Sequence, residues 1–221
     1  MITCRGRVGV AYEFLQAEPF SRVIRRDPDS VERHTEVLHE VVRKVHAVRS
    51  DLDQLPVLQD RVRNTIECTR VDLPDADVGL RHRRLEAMPE PERCVHFDLH
   101  SSNIVLRRRQ PVIIDMGDLS RGSHWFDDAL RFTIYGVPDL GPSTLACGIP
   151  VPHGRRLCNA FERRSMADFG SAVRACFEEN RFVLASLRLL CAFEIALARK
   201  PWFLETTRTA LGPGIRSPTR R

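Results

Sequence analysis

Lysine is nearly absent from this sequence. Of 34 basic residues only Lys44 and Lys200 are lysine, so arginine is the default cation, a bias of genome composition more than of function. The net charge of +5 leans basic, yet aromatic residues make up only 7% of the chain. The arginine clusters at Arg81, Arg83 and Arg84 and at Arg107, Arg108 and Arg109 are short, scattered and poor in aromatics. A nucleic-acid surface would gather them on one face with aromatics between, so they are read as solvated loop and helix surface, with no nucleic-acid partner expected. Cysteine is present but unpatterned: seven residues, an odd number, with no CxxC and no Cys/His ligand spacing. Free thiols in a reducing cytosol are the expectation. A long apolar core after a basic start is missing from MITCRGRVGV, so no signal peptide is expected. The most apolar stretch, 182–199, is interrupted by Arg188 and Glu194 and reads as a buried helix, with no membrane partner. No internal repeat is visible.

What is present fits one large domain of 221 residues with enough chain to build a core without disulfides. VGVAYEFL, 8–15, reads as a strand. Polar sequence follows to residue 30. Asp27-Pro28 reads as a helix start, and Val37, Leu38, Val41, Val42, Val45 and Val48 continue at helical spacing. His39 and His46 share a face of that helix and are assigned packing or surface roles, since no carboxylate pattern lies near them in sequence. Further helices are expected over about 51–69 and 75–88, the latter stopped by Pro89 and Pro91, and over 156–199, before a frayed tail, GPGIRSPTRR. The order is strand, helices, a short β element, helices: an α+β layout dominated by helices.

The chemistry concentrates in 94–129, CVHFDLHSSNIVLRRRQPVIIDMGDLSRGSHWFDDA. Ile104-Val105-Leu106 and Val112-Ile113-Ile114 read as a β-hairpin with a five-residue connection, Arg107 to Pro111. Symmetric pairing sets Val105 opposite Ile113 and Asn103 opposite Asp115, with strands about 5 Å apart. A carboxylate beside an amide oxygen suits a hard cation such as Mg2+, which would take phosphate oxygens in its open positions. Asp98, one loop away, is free to orient a hydroxyl and take its proton. Together these are the minimal parts for moving a phosphoryl group.

His96-Phe97-Asp98-Leu99-His100-Ser101-Ser102-Asn103 fits the kinase pattern H-x-D-x-x-x-x-N, and Ile114-Asp115-Met116-Gly117 fits the D-x-G that follows it. HFDLHSSNIV and IIDMGD resemble the aminoglycoside phosphotransferase and choline kinase branch, with its "HGDLHPGN" and "IDFGD", more than protein kinases. Gly122-Ser123-His124-Trp125-Phe126-Asp127-Asp128-Ala129 resembles that family's later "G-x-P-x-Y-D-L-A". The likeness is good over roughly 90–130 and loose elsewhere. It implies Asp98 as catalytic base, and Asn103 and Asp115 as the Mg2+ ligands that also hold ATP. It implies His96 as a loop-holding histidine, His100 as a shaper of the loop, Asp118 as an aid to the metal or the loop, and Asp127 as a structural aspartate. The implied reaction is ATP- and Mg2+-dependent transfer of the γ-phosphate to a hydroxyl of a small molecule in the cytoplasm.

Departures from the pattern are specific. Phe97 stands for a glycine, Ser101-Ser102 for Pro-Gly, and Met116 for an aromatic. Before residue 30 there is neither a glycine-rich loop nor a lysine. The chain therefore resembles the helical C-lobe of a protein-kinase-like fold with the N-lobe largely missing. Residues 1–20 would be a remnant strand and hinge, 21–211 the C-lobe, and 212–221 a tail. Two other functions stay open: a pseudokinase-like binding fragment, and a metal-dependent hydrolase using His96, Asp98, His100 and Asp115. Glu178, Glu179 and Glu194 are read as exposed helix charge rather than as an acceptor site. His124 and Asp128 are read as packing or surface residues.

Overall fold

The computed structural model describes residues 2–4, 7–9, 13–49, 52–73, 75–88, 93–131 and 147–167, together with Ala175, Phe177, Leu184, Leu187 and Cys191. Helix and sheet are mixed in it. Strands β1 (Ile2–Cys4) and β2 (Arg7–Gly9) form an antiparallel pair. Then come β3 (Glu18–Pro19) and helices α1 (Phe20–Arg26), α2 (Val31–His46), α3 (Leu58–Thr69) and α4 (Asp75–Glu86). Strands β4 (Arg93–Val95), β5 (Ile104–Arg107), β6 (Gln110–Ile113) and β7 (Ser120–Gly122) follow, then α5 (Trp125–Arg131) and α6 (Val151–Ala167). The sheets are small and antiparallel: β1 with β2, β3-β5-β6 in that order, and β4 with β7. This agrees with the α+β reading.

Helix α2 forms because Leu38, Val41, Val42 and Val45 recur at i, i+3, i+4, i+7 and all four are buried. Glu32 in its first turn and Arg43, Lys44 and His46 in its last complement the helix dipole. Its apolar stripe packs against α6, through Leu157 and Phe161. Each buried aliphatic side chain there is worth about 1.5–3 kcal/mol, so Leu38→Ala would be the most damaging single truncation of the stripe. Arg163–Glu32 and Arg164–Glu36, both 3.4 Å, flank the seam between the helices.

A second core gathers Leu58, Val62 and Ile66 of α3, Val78 and Leu85 of α4, and Trp125, Phe126, Phe177, Leu184 and Leu187. Strand β4 runs between the two cores. Alternation puts Cys94 in the α2–α6 core and Val95 in the α3–α4 core. The chain leaving β4 continues the division, with Phe97 in one core and Leu99 in the other. The loop that carries Asp98 is thereby anchored from both sides.

Four local expectations are corrected. Of the strand read at 8–15, Val8 and Gly9 lie in Arg7–Gly9, Glu13–Leu15 carry no regular structure, and 10–12 lie outside the described residues. Asp27 does not start a helix; it closes α1, and α2 begins after Ser30. The helix expected from about residue 51 begins at Leu58. The fourth correction concerns the hairpin. Its strands are joined by two residues, and Val105 pairs with Val112, Ile104 with Ile113. Arg108 and Arg109 both have positive φ, 50° and 67°, the requirement of a two-residue type I′ turn. Among the described residues no helix is long and apolar enough to cross a membrane. Cys68, Cys94, Cys147, Cys158 and Cys191 are free thiols. Glu178, Glu179, Glu194 and the tail 212–221 lie outside the described residues.

Candidate functional site

The β4–β7 pairing, with Arg93 opposite Gly122 and Val95 opposite Ser120, brings the loop after β4 beside the entry to α5. Asp127, in the first turn of α5, is fully buried. Its carboxylate accepts the backbone N–H of His96 at 3.2 Å and of Phe97 at 2.8 Å. His46 Nε2 lies 3.0 Å from the same carboxylate. A buried carboxylate is costly unless its oxygens are met; here backbone and imidazole meet them. These bonds hold Phe97 at φ 65°, a left-handed conformation that costs a non-glycine residue about 1 kcal/mol or more. The Phe97 ring is completely buried and meets Phe126 edge-on, with centroids 5.8 Å apart. Burying the ring outweighs the backbone strain.

His96, fully buried, joins two loops. Its Nδ1 accepts the Asp98 N–H at 3.3 Å, and its Nε2 stands 3.1 Å from the carbonyl oxygen of Ile114. With Nδ1 accepting, the proton sits on Nε2 and is donated to that carbonyl. After Asp98 the chain tightens into a short 3-10 turn, Ser101–Asn103. The His100 N–H donates to the Asp98 carbonyl at 3.1 Å and the Asn103 N–H to the His100 carbonyl at 2.9 Å. The Asn103 amide donates to Asp98 twice, to its carbonyl at 2.9 Å and to carboxylate Oδ2 at 3.0 Å. With Nδ2 committed, Oδ1 is the end of Asn103 left to receive a donor or a cation.

Asp115 arrives by a different register from the one the sequence implies. The Ile114 N–H donates to the Asn103 carbonyl at 2.9 Å, so Ile114, not Asp115, sits opposite Asn103. Asp115 follows immediately with φ 59° and ψ 60°, and is exposed. Aspartate tolerates the left-handed region better than most residues, and the turn takes Asp115 out of the strand's alternation. Its neighbour Asp118 pairs with Arg61 of α3 at 2.7 Å. Both of those side chains are more than a third exposed, which limits the pair to about 1 kcal/mol.

His100 is nearly buried. Its Nε2 lies 3.6 Å from Asp98 Oδ2, and its Nδ1 accepts the Ser102 N–H at 3.2 Å and lies 3.6 Å from Cys147 Sγ. Burial pulls the imidazole pKa down, but the hydrogen bonds to Asp98 and Cys147 together outweigh it and raise it to about 9. Burial pushes the Cys147 thiol up, and His100 pulls it further down, to a net value below the ordinary one. Nδ1 thus has two states. Neutral, it accepts from Ser102; charged, it holds its proton towards the Cys147 sulfur.

His96, Asp98, His100 and Asn103 therefore form one hydrogen-bonded loop, linked through Ile114 to Asp115 and seated on Asp127, while Asp118 turns to Arg61. The donor set suits a hard cation: an amide oxygen and an exposed carboxylate leave room for waters and phosphate oxygens. Among the described residues no group of three or more His, Cys, Asp or Glu could hold a metal ion. The nitrogens of His96 are both directed at protein groups, which removes the convergent ligand set that a zinc-type hydrolase needs. Two participants, Cys147 and Arg61, escaped the sequence reading, and His46, read there as a packing or surface residue, has a carboxylate partner after all. His46 is 81 residues from Asp127, Cys147 is 47 from His100, and Arg61 is 57 from Asp118. No local pattern announces such pairs.

Residues 5–143 match the model of the phosphotransferase enzyme family. No curated protein matches the chain.

Proposed function

Since the chain belongs to the phosphotransferase enzyme family, we propose that it transfers the γ-phosphate of ATP, with Mg2+, to a hydroxyl of a small molecule, as aminoglycoside phosphotransferases do. The observation that carries this reading is the Asn103–Asp98 contact at 3.0 Å. It turns one side chain into two functions. The amide nitrogen orients the carboxylate, and the amide oxygen is left for a cation beside Asp115.

Bound Mg2+ would supply charge neutralisation at the transferring phosphoryl group, held by Asn103 Oδ1 and the Asp115 carboxylate. Asp98 would accept the acceptor's hydroxyl proton at Oδ1 or Oδ2. Asn103 Nδ2 and His100 Nε2 fix the carboxylate's direction. His96 ties the Asp98 loop to Ile114, the residue before Asp115, and Asp127 holds the backbone of His96 and Phe97 beneath the Asp98 loop. We read the described helices and hairpin as the helical lobe of a protein-kinase-like fold, with the segment up to about residue 20 as strand and hinge.

The test is transfer of labelled γ-phosphate from ATP to a panel of hydroxylated amines, amino acids and sugars. Asp98→Asn is expected to lower kcat by about 10²–10⁴, the usual contribution of a positioned base. Asp115→Ala is expected to abolish Mg2+-dependent nucleotide binding, seen by calorimetry. Retained activity in both variants would refute the assignment.

A further inference from the structure

Arg61 pairs with Asp118, as described, and also reaches the Asp98 loop. Its guanidinium carbon stands 5.2 Å from the centroid of the Phe97 ring, within cation–π range. One half-exposed arginine on α3 therefore touches the residue next to Asp98 and a residue three beyond Asp115.

The position of Arg61 is not incidental. The first turn of α3 is pressed onto β7 at Gly122, where an added Cβ would lie 2.9 Å from Leu58 Cβ and 3.0 Å from Gln59 Oε1. The Arg121 N–H donates to the Pro56 carbonyl at 2.9 Å, fixing the approach to the helix. Leu58 and Val62, one on each side of Arg61 in sequence, are completely buried. The helix cannot turn without emptying that core, so the stem of Arg61 leaves a rigid surface. Phe97 is equally fixed by its burial and by Asp127. The Asp115–Asp118 turn is the soft member, since Asp115, Met116 and Gly117 are exposed.

We propose that Arg61 is a positioning residue for the cation site. It clamps the Asp115–Asp118 turn to the Asp98 loop through Asp118 and Phe97, and so sets the place of the Asp115 carboxylate. The inference rests on the phosphotransferase reading, because only that reading gives Asp115 a cation to hold. It also commits Asp118 to the clamp and not to the metal.

The experiment is Mn2+ uptake in the presence of a nonhydrolysable ATP analogue, followed by electron paramagnetic resonance, with melting temperature measured in parallel. Arg61→Ala and Asp118→Asn are each expected to weaken Mn2+ binding roughly fivefold, the scale of a partly exposed ion pair. The double variant should be no weaker than either single one, since both break the same link. Arg61→Lys, which keeps the charge but loses the planar stack, should recover part of the affinity. Melting temperatures should stay close to wild type. Unchanged Mn2+ affinity in Arg61→Ala, or tighter binding from an Asp118 set free, overturns the clamp while leaving the phosphotransferase reading intact. Absence of Mn2+ uptake by the wild type overturns both.

Discussion

Asn103 Nδ2 lies 3.0 Å from Asp98 Oδ2. An amide is needed there because it offers a donor to one neighbour and an acceptor to another. Asn103→Asp would supply a more strongly charged cation ligand, yet it would set two carboxylates in contact. Repulsion raises the pKa of one of them, so the variant is expected to be less stable at pH 7 than at pH 5. Its kcat should fall by about 100-fold or more, given the usual weight of a positioned base. Urea midpoints at the two pH values and a transfer assay check this.

Phe97→Gly sets two opposed effects against each other. Glycine relieves a left-handed backbone, a gain of about 1 kcal/mol. It also empties the site of a fully buried ring, a loss of about 3–5 kcal/mol. The loss wins, and net destabilisation of about 2–4 kcal/mol should appear as a lower urea midpoint at unchanged slope.

The His100–Cys147 pair predicts a thiolate below the ordinary thiol range. His100→Gln removes the strongest of the groups that lower the thiol, Ser101 and Ser102 being the others, so burial, which raises it, is less opposed. Thiolate absorbance near 240 nm, taken against Cys147→Ser, should shift to higher pH in the variant. The linkage signs oppose each other. The raised imidazole stabilises the fold below its unfolded pKa, and that contribution is lost as pH rises through about 9. The lowered thiol stabilises above its unfolded pKa and loses that contribution as pH falls. Between the two unfolded values the proton released by sulfur offsets the proton held by nitrogen, so Cys147→Ser, which removes that offset, should make stability fall more steeply with rising pH than in the wild type.

The tip of the hairpin carries unforced strain. Arg108 and Arg109, both exposed, occupy positive φ where Asn-Gly would sit comfortably. Arg109→Gly is expected to stabilise the protein by about 0.5–1 kcal/mol, relief of the left-handed strain exceeding the entropic cost of glycine. Thermal melting measures it, and transfer activity should not change.

How far the sequence disclosed all this depends on the range of each interaction. The motif 96–103 was readable because its spacing is local, and the tight turn after His100 enforces it. The register differs by one residue from symmetric pairing because the turn uses Arg-Arg, which carries none of the glycine or asparagine signal of a type I′ loop. Helix α1 was overlooked because its seven residues are too few for a period to emerge. Polar partners such as His46 and Asp127 are brought together because α2 is seated in one core and α5 in the other, and those cores are built from apolar residues to which neither belongs.

The histidine bridge from Asp98 to Ile114 has a mechanical corollary. Two segments stitched by one fully enclosed ring are coupled from Asp98 as far as Ile114, so a displacement of either is felt by the other. The exposed residues just past that tie, Asp115 to Gly117, lie beyond the stitch and can shift against it.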